Sequence, residues 1–344
     1  MSASAHHDGS WMFREAASAP AVVAAQFAAN HGVLSALAED LRRRPPPFVA
    51  TCARGSSDHA ATYAKALLET RLGLVTASVS PSIGSVYGVR QQLRDALFIA
   101  ISQSGRSPDL LRTAEAAREA GARVVALVNV ADSPLAALAD VVVPLHAGPE
   151  RSVAATKSYL ASLSALLQLV ALWSEDAALC DALPAVPEAM QAAWACDWSA
   201  ALPGLSQAHN LFVLGRGLGL GAAQEAALKF KETCGLHAEA YSSAEVKHGP
   251  MALVGPGFPV LMLTQPDETE AGALALAGEF RGRGAQVWLA ARGAGDLPVA
   301  VAPHPACAPL LLVQSFYRLA NALSFARGHD PDRPPHLNKV TETV

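Results

Sequence analysis

Short apolar runs rich in strand-forming residues recur along the chain, separated by stretches with helical periodicity. FVATCAR (48–54) and ALFIAIS (96–102) are two of these runs, and ARVVALVNV follows the second. The intervening GSSDHAATYAKALLE and the segment 107–120 have apolar positions at helical spacing. Strands that alternate with helices of about a dozen residues predict an α/β fold built on parallel, doubly wound sheets.

The pattern occurs twice. ARGSSDHAATYA (53–64) aligns with GRGLGLGAAQEA (215–226), and the same offset of 162 positions aligns AISQ (100–103) with MLTQ (262–265). Two stretches that align at one offset indicate two copies of one α/β unit. We therefore predict an N-terminal helical segment over 1–39, a first domain over 40–180, a second domain over 202–335 and a C-terminal tail over 336–344.

Composition narrows the class of protein. Apolar residues make up 51% of the 344 positions and charged residues 16%, which argues against a disordered chain. The net charge of −4 shows no basic excess, so we expect no nucleic-acid partner. The cysteines form no C-x-x-C pair, and residues 1–10 are too polar for a signal peptide. A soluble cytoplasmic protein that does not bind a membrane is the default expectation.

Hydroxyl-rich loops follow two of the predicted strands. GSSD (55–58) comes after FVATCAR, SQSGRSPDL (102–110) comes after ALFIAIS, and each opens a predicted helix. Ligands bind at that end of the strands in a doubly wound sheet, and a helix N-terminus suits an anion such as phosphate. An N-cap serine explains either loop alone, but two such loops in one repeat favour a phosphate site. No nucleotide-binding glycine motif follows a strand in the required way.

A third polar segment, GPERSVAATKSYLASL (148–163), leads into a long apolar stretch. Glu150 and Arg151 open it, and Lys157 either faces the same cleft or lies exposed in the first helical turn. The apolar stretch 153–174 includes Lys157 and Gln168, so a buried helix explains it better than a membrane span does.

Acids, bases and hydroxyls concentrate in KETCGLHAEAYSSAEVKHGP (231–250), in a chain otherwise rich in alanine, leucine and valine. EAALKFKETCG (225–235) predicts a helix on which Glu225, Lys229 and Glu232 share one face. That face suits either a solvated salt-bridge ladder or an acid–base site. The mixture of histidine, tyrosine and serine after it favours the site. A metal centre is disfavoured because no H-E-x-x-H motif and no cysteine pair is present.

Together these stretches resemble the motifs of one family. They are ARGSS, SQSGRSPD, ERSVAATK, EAALKFKE, HAEAYSSAEVKHGP and LNKVTETV, and the start, WMFREAASAP, matches as well. On them the chain resembles the sugar isomerase (SIS) family over essentially its whole length. Within that family it is most similar to the isomerase half of glutamine–fructose-6-phosphate transaminase. The resemblance implies two tandem SIS domains, each a flavodoxin-like, three-layer α/β unit.

The resemblance also implies roles for individual residues. Glu232 would move a proton between C1 and C2 of a hexose 6-phosphate, and Lys229 would support the enediol-like intermediate. His248 would open the sugar ring from the neighbouring subunit, and Lys339 in the tail would meet the open-chain carbonyl as an amine. A carboxylate in a partly dry cleft and a histidine near neutral pH suit these proton transfers. The substrate contacts would come from Ser56, Ser57, Ser102, Gln103, Ser104, Ser107, Glu150 and the backbone of Val153.

The chain also departs from its relatives. Ala155 stands where the resemblance leads us to expect a serine, and in 344 residues we expect no glutaminase half. We therefore expect a stand-alone phosphosugar isomerase or deaminase that converts glucosamine 6-phosphate to fructose 6-phosphate and ammonia. It would need no metal or other cofactor, and a homodimer would complete its site across subunits. The alternatives are a deglycase or isomerase of another sugar phosphate adduct, and a non-catalytic sugar-phosphate sensor.

Overall fold

The structure, a computed structural model, describes residues 8–339. Residues 1–7 of the predicted N-terminal segment and residues 340–344 of the predicted tail lie outside the described residues. The chain forms two compact units. Within the described residues, the hydroxyl unit comprises 21–149, 157–183 and 338–339, and the acid–base unit comprises 8–20, 150–156 and 184–337. The domain limits drawn from the sequence remain predictions, because each unit is assembled from separate stretches of chain.

A five-stranded sheet with the order β2-β1-β3-β4-β5 forms the centre of the hydroxyl unit. All its strands run parallel, with Cys52 opposite Ala100 where β1 meets β3. The strand order reverses between β1 and β3, as in flavodoxin-like folds. The elements in chain order are α1 (Trp11–Arg43), β1 (Val49–Cys52), α2 (Ser56–Leu72), β2 (Thr76–Ser78), α3 (Pro81–Ser85), β3 (Leu97–Ser102), α4 (Pro108–Glu119), β4 (Arg123–Val128), α5 (Pro134–Leu138), β5 (Val141–Pro144), α6 (Lys157–Ser174) and α7 (Ala177–Ala182).

The acid–base unit repeats this order on four parallel strands, β7-β6-β8-β9. Its sheet reverses between β6 and β8, so it has the same kind of crevice as the first sheet. The predicted α/β class with two doubly wound parallel sheets is therefore confirmed. The elements are α8 (Val186–Ala195), α9 (Leu202–Gln207), β6 (Asn210–Gly215), α10 (Leu220–Cys234), β7 (His237–Ser242), β8 (Pro259–Leu263), α11 (Glu270–Gly282), β9 (Gln286–Ala290) and α12 (Ala308–Ala326).

Each sheet has an apolar core of its own. Phe98 and Val124 lie in the core of the hydroxyl unit, and Phe212 and Phe280 lie in that of the acid–base unit. The predicted buried helix is α6, in which almost every side chain is buried and Gln168 donates to the carbonyl of Phe27 at 2.9 Å. The cores hold the strand ends in place, so the loops that follow β1, β3, β6 and β8 start from fixed positions.

Among the described residues, α1 is the one helix long and apolar enough to cross a membrane by length and composition. Two of its polar side chains are buried against the hydroxyl unit. The Gln26 amide donates to the carbonyls of Leu145 and Ala161 at 2.9 Å, and Asn30 donates to that of Pro144 at 2.8 Å. Buried amides satisfied by main-chain carbonyls are typical of a helix packed in a protein core.

Candidate functional site

The two hydroxyl loops of the first repeat follow neighbouring strands. β1 pairs with β3, so residues 53–57 and 102–107 leave the sheet at adjacent carboxyl ends. These two loops are called the first switch point below. Ligands of doubly wound sheets bind at this reversal of strand order. The structure thus brings Ser56, Ser57, Ser102, Gln103, Ser104 and Ser107 to one edge of the sheet.

Gly105 fixes the conformation of the second of these loops. Its φ is +62°, and a Cβ placed there would lie 2.2 Å from Ser133 Oγ, so only glycine fits. The buried hydroxyl of Ser102 accepts from the Gly105 N–H at 3.0 Å, and Ser104 Oγ accepts from the Arg106 N–H at 3.3 Å. Ser107 takes the N-cap position of α4, yet its side chain makes no capping hydrogen bond. The simple N-cap explanation therefore does not account for the Ser107 hydroxyl.

An ion pair that sequence reasoning missed joins the two loops. The Arg54 guanidinium donates through Nε and Nη2 to Asp109 Oδ2 at 3.0 and 2.6 Å. Asp109 is fully buried in the first turn of α4, whereas the Arg54 side chain is half exposed. Burial raises the pKa of the nearby Asp58 carboxyl, while His59 and Arg54 oppose that shift. Arg54 thus supplies positive charge at an edge where two aspartates would otherwise repel an anion. The ARGSS and SPD motifs contain both partners, but they lie too far apart in sequence for their pairing to be predicted.

The acid–base cluster lies on α10 of the second unit. Lys229 Nζ donates to Glu232 Oε2 at 2.6 Å and lies 3.2 Å from Glu225 Oε1. The side chains of Lys229 and Glu225 are fully buried, and that of Glu232 is 21% exposed. Tyr317 of α12 donates to Glu225 Oε1 at 2.9 Å. The predicted shared face is confirmed, but the alternative of a solvated ladder is wrong because helix packing removes it from water.

Lys229 is held in its charged form. Burial by itself lowers the pKa of this ammonium, but the carboxylates of Glu225 and Glu232 more than offset that effect, so the pKa is raised. A protonated lysine therefore contacts a carboxylate that keeps part of its surface open. Such a pair offers a base with a fixed orientation beside a positive charge.

The stretch after α10 does not form a helix. HAEAYS forms β7, the outer strand paired with β6, and a turn follows with one 3₁₀ segment over Glu245–Lys247. His248 ends that segment and is exposed. Within the described residues, no hydrogen bond or ion pair joins His248 to the cluster on α10. Lys339, the last described residue, is half-buried, and the remainder of LNKVTETV lies outside the described residues.

The ERSVAATK motif is divided between the two units. Buried Glu150 accepts from the Thr156 N–H at 3.0 Å, and the Val153 N–H donates to the Asp332 carbonyl at 3.4 Å, both in the acid–base unit. Lys157 belongs to the hydroxyl unit, where its Nζ donates to the Pro149 carbonyl at 2.6 Å. The suggestion that Lys157 is exposed is wrong, because only 8% of it is accessible.

The reversal of strand order in the second sheet is called the second switch point below (residues 216–219 and 264–269), and a glutamine side chain fills it. Gln265 is almost fully buried there. Its amide nitrogen donates to the Arg216 carbonyl at 2.7 Å, to Asp267 Oδ2 at 3.0 Å and to Thr269 Oγ1 at 3.3 Å. A Cβ on Gly219 would lie 2.3 Å from Gln265 Oε1. The protein's own glutamine thus occupies the place where the other sheet has its hydroxyl loops.

A metal site was disfavoured from sequence. Across residues 8–339, no group of three or more His, Cys, Asp or Glu side chains is placed to hold a metal ion. The thiols are all unpaired, and burial raises the pKa of Cys52, Cys234 and Cys307 to about 12. These three buried thiols are therefore poor nucleophiles and poor metal ligands near neutral pH.

Comparison with known proteins gives one family. A model of the SIS domain matches residues 49–172 and 204–292, which contain the two sheets. The chain is 35% identical, over 353 aligned residues, to glutamine–fructose-6-phosphate aminotransferase [isomerizing] of Pyrobaculum aerophilum. That match covers 92% of this chain but only 59% of the relative's length, so the chain spans less than two thirds of the curated relative.

Solved structures give the same fold. A candidate phosphosugar isomerase from Silicibacter pomeroyi DSS-3 superposes with a TM-score of 0.88 at 45% identity, over 94% of this chain and 100% of that one. Glucosamine-6-phosphate deaminase of Thermotoga maritima superposes with a TM-score of 0.79 at 23% identity, over 97% of this chain and 100% of that one.

Proposed function

The chain belongs to the SIS domain family, and on that premise we propose that it is a phosphosugar isomerase that deaminates an amino-sugar 6-phosphate. The observation that carries the proposal is the pairing of partly open Glu232 with buried, protonated Lys229 on α10. A carboxylate held by a lysine whose pKa is raised keeps a fixed orientation beside a positive charge, which suits repeated proton transfer. The names of the relatives supply the substrate class, and one neighbour with the same fold is named a glucosamine-6-phosphate deaminase.

The phosphate would bind at the first switch point. The loops there offer the N-terminal turns of α2 and α4, both more than ten residues long, and several serine hydroxyls. Backbone N–H groups and the helix dipole at such turns favour a phosphate dianion. Ser56, Ser57, Ser104 and Ser107 would donate to phosphate and sugar oxygens, and the peptide of Val153 and the Glu150 carboxylate would complete the sugar contacts.

The reaction is a proton transfer followed by hydrolysis. In the open-chain amino sugar, Glu232 would remove the proton from C2 and return it to C1, and Lys229 would stabilise the negative charge of the enediol-like intermediate. The C1 aldehyde then becomes a CH₂OH group and C2 becomes an imine. Water adds to this imine and ammonia leaves, so glucosamine 6-phosphate and water give fructose 6-phosphate and ammonia. Lys339 would lie beside the open-chain carbonyl as an amine and would form no covalent bond in this sequence of steps.

Ring opening would fall to His248, acting in a second copy of the chain. Two observations support this assignment: His248 is exposed, and among the described residues no hydrogen bond or ion pair joins it to the α10 cluster. Mixing Glu232→Gln with His248→Ala subunits tests it, because a mixed dimer contains one site with both residues intact. Such a mixture should regain activity that neither variant has alone. Mixtures that stay inactive while exchanging subunits would assign His248 to its own chain's site.

Ammonia release is the decisive measurement. The chain is incubated with glucosamine 6-phosphate, galactosamine 6-phosphate and N-acetylglucosamine 6-phosphate, and ammonia and ketose phosphate are followed together. Equal amounts of both products from a free amino sugar support the deaminase. Interconversion of aldose and ketose phosphates without ammonia would reduce the function to isomerisation. Binding without any turnover would favour the sensor. Because phosphorylated sugars are charged metabolites of the cell interior, the proposed site of action is the cytoplasm.

A further inference from the structure

One motif remains outside the proposed reaction, the start of α1 in WMFREAASAP. Its Glu15 is buried in the acid–base unit. Glu15 Oε1 accepts from the Arg151 N–H at 2.5 Å, and Oε2 accepts from the Ser152 N–H at 3.2 Å. One carboxylate therefore holds two successive amides of a segment far away in sequence. Such charge-assisted bonds are among the stronger ones in proteins.

A second carboxylate, that of Asp332, connects the same elements. Asp332 accepts from the N–H groups of Trp11 and Met12, each at 2.7 Å, and so caps α1. The main-chain carbonyl of Asp332 accepts from the Val153 N–H at 3.4 Å. Residues 151–153 are thus attached to the first turns of α1 and to the turn at 332, all within the acid–base unit.

The side chains around this junction support the attachment. The Arg151 guanidinium lies 4.4 Å from the centre of the Trp11 ring, and that of Arg14 lies 4.3 Å from it. Cation–π contacts of this kind hold arginine side chains against an exposed aromatic face. Ser152 is fully buried next to exposed Arg151, so the direction of each side chain depends on the backbone that Glu15 fixes.

We infer that Glu15 is a positioning residue for the segment 150–156, which it holds in the one backbone conformation that contacts the sugar. This inference rests on the proposed function, since that segment is the proposed sugar contact. Glu15 would not touch the substrate, and it would leave the phosphate loops unaffected. Its loss should weaken recognition of the sugar but not of the phosphate.

Hydrogen exchange tests the positioning without any substrate. In Glu15→Gln an amide replaces the carboxylate, so an NH₂ group faces one of the two backbone donors. Exchange of the Arg151 and Ser152 amides should become at least about tenfold faster, because their acceptor is lost. Glu39→Gln, an exposed change on the same helix, is the matched control and should leave these amides unchanged. Unchanged exchange of residues 151–152 in Glu15→Gln would overturn the inference.

Kinetics then separate positioning from a general loss of structure. In Glu15→Gln, KM for the sugar phosphate should rise roughly tenfold or more, while the inhibition constant of inorganic phosphate stays within about twofold of wild type. A parallel rise of both constants, or a change in neither, would contradict positioning. If no substrate turns over, calorimetric dissociation constants for glucosamine 6-phosphate and phosphate replace KM and the inhibition constant. Absent turnover would then count against the proposed function, and the ratio of the two affinities would still decide the role of Glu15.

A second variant, Glu15→Asp, tests the inference even if Glu15→Gln does not fold. Glu15→Asp keeps the charge but draws the carboxylate back by one methylene, so it should give a smaller shift of the same two readouts. If Glu15→Asp instead changes phosphate affinity as strongly as sugar affinity, Glu15 acts on the whole unit and the inference fails.

Discussion

The two switch points of this chain occupy equivalent places in duplicated sheets, yet they differ in content. Gln103 and Gln265 align at the offset of 162 positions, and each lies in the loop after the third strand of its sheet. Gln265 is buried and makes three hydrogen bonds to its own unit. Gln103 is half-buried and makes no side-chain hydrogen bond within the described residues. One crevice is filled by protein, whereas the other keeps polar groups available for a ligand.

The helices α2 and α10, which follow the first strand of each sheet, differ in the opposite sense: here the second copy has the charged side chains and the first copy does not. At the same offset, Glu225, Lys229 and Glu232 of α10 correspond to Tyr63, Leu67 and Thr70 of α2. Tyr63 and Leu67 are fully buried, so α2 packs with ordinary core side chains where α10 buries ions. Buried charges are costly unless they are paired, and a fold that needs only packing does not retain them. The difference supports the proposal that phosphate binding and proton transfer belong to different copies of one unit.

The largest expected effect comes from removing the base. Glu232→Gln keeps the shape and an acceptor for Lys229 but cannot take a proton, so kcat should fall about a thousandfold. Affinity for the sugar phosphate should stay within about twofold, because none of the proposed phosphate and sugar contacts is changed. Steady-state kinetics and calorimetry measure the two quantities, with Glu239→Gln on β7 as the exposed control. Turnover that survives in Glu232→Gln would remove proton transfer from α10.

Replacing the buried lysine, Lys229, should have the next largest effect, and that effect is on stability. Lys229→Met leaves the buried Glu225 carboxylate without its counter-ion, so the free energy of unfolding should fall by about 3 kcal/mol. The raised pKa means that the lysine's contribution is complete below its ordinary value of 10.5 and is lost as the pH rises through the higher folded-state pKa. The gap to wild type in urea unfolding should thus be constant at neutral pH and narrow only in strong alkali. Exposed Lys231→Met is the control, and an equal loss there would contradict the assignment.

Removing the Arg54–Asp109 ion pair at the first switch point should have a smaller effect, and that effect is on phosphate affinity. Arg54→Ala leaves the Asp109 carboxylate uncompensated at the edge of the sheet, so the inhibition constant of inorganic phosphate should rise about tenfold. Arg106→Ala removes the same charge from an exposed position in the neighbouring loop and should change the constant by less than about threefold. Equal effects of both variants would mean that Arg54 acts only through the overall charge of the surface.

The sequence alone predicted the fold well because strands and helices repeat with regular periods. The predicted helix over 107–120 is α4 (Pro108–Glu119), and ALFIAIS contains β3 (Leu97–Ser102). The stretch HAEAYSS was not recognised as a strand, because its side chains at alternate positions are half exposed or charged and give no apolar run. An outer strand of a parallel sheet needs less apolar surface than an inner one.

The candidate site was predictable only as far as its local motifs reach. The spacing of Glu225, Lys229 and Glu232 on one helix gave their shared face, because helical periodicity fixes it. The Arg54–Asp109 pair and the Glu15 contact to residues 151–152 join positions that only the folded chain brings together. The burial of Lys229 was equally hidden, since it depends on what packs over α10 rather than on α10 itself.

The smallest expected effects come from the two aligned glutamines, and they test the comparison most directly. Gln265→Ala removes a buried amide with its hydrogen bonds, so the free energy of unfolding should fall by about 1 kcal/mol while sugar-phosphate affinity stays unchanged. Gln103→Ala should do the opposite, weakening the ligand about fivefold with no loss of stability, because its amide is proposed to bind the substrate. Urea unfolding measures the stability of each variant, and calorimetry measures its affinity for the sugar phosphate. Weaker ligand binding in Gln265→Ala would mean that the second crevice also serves the substrate, and the division between the copies would then be incomplete.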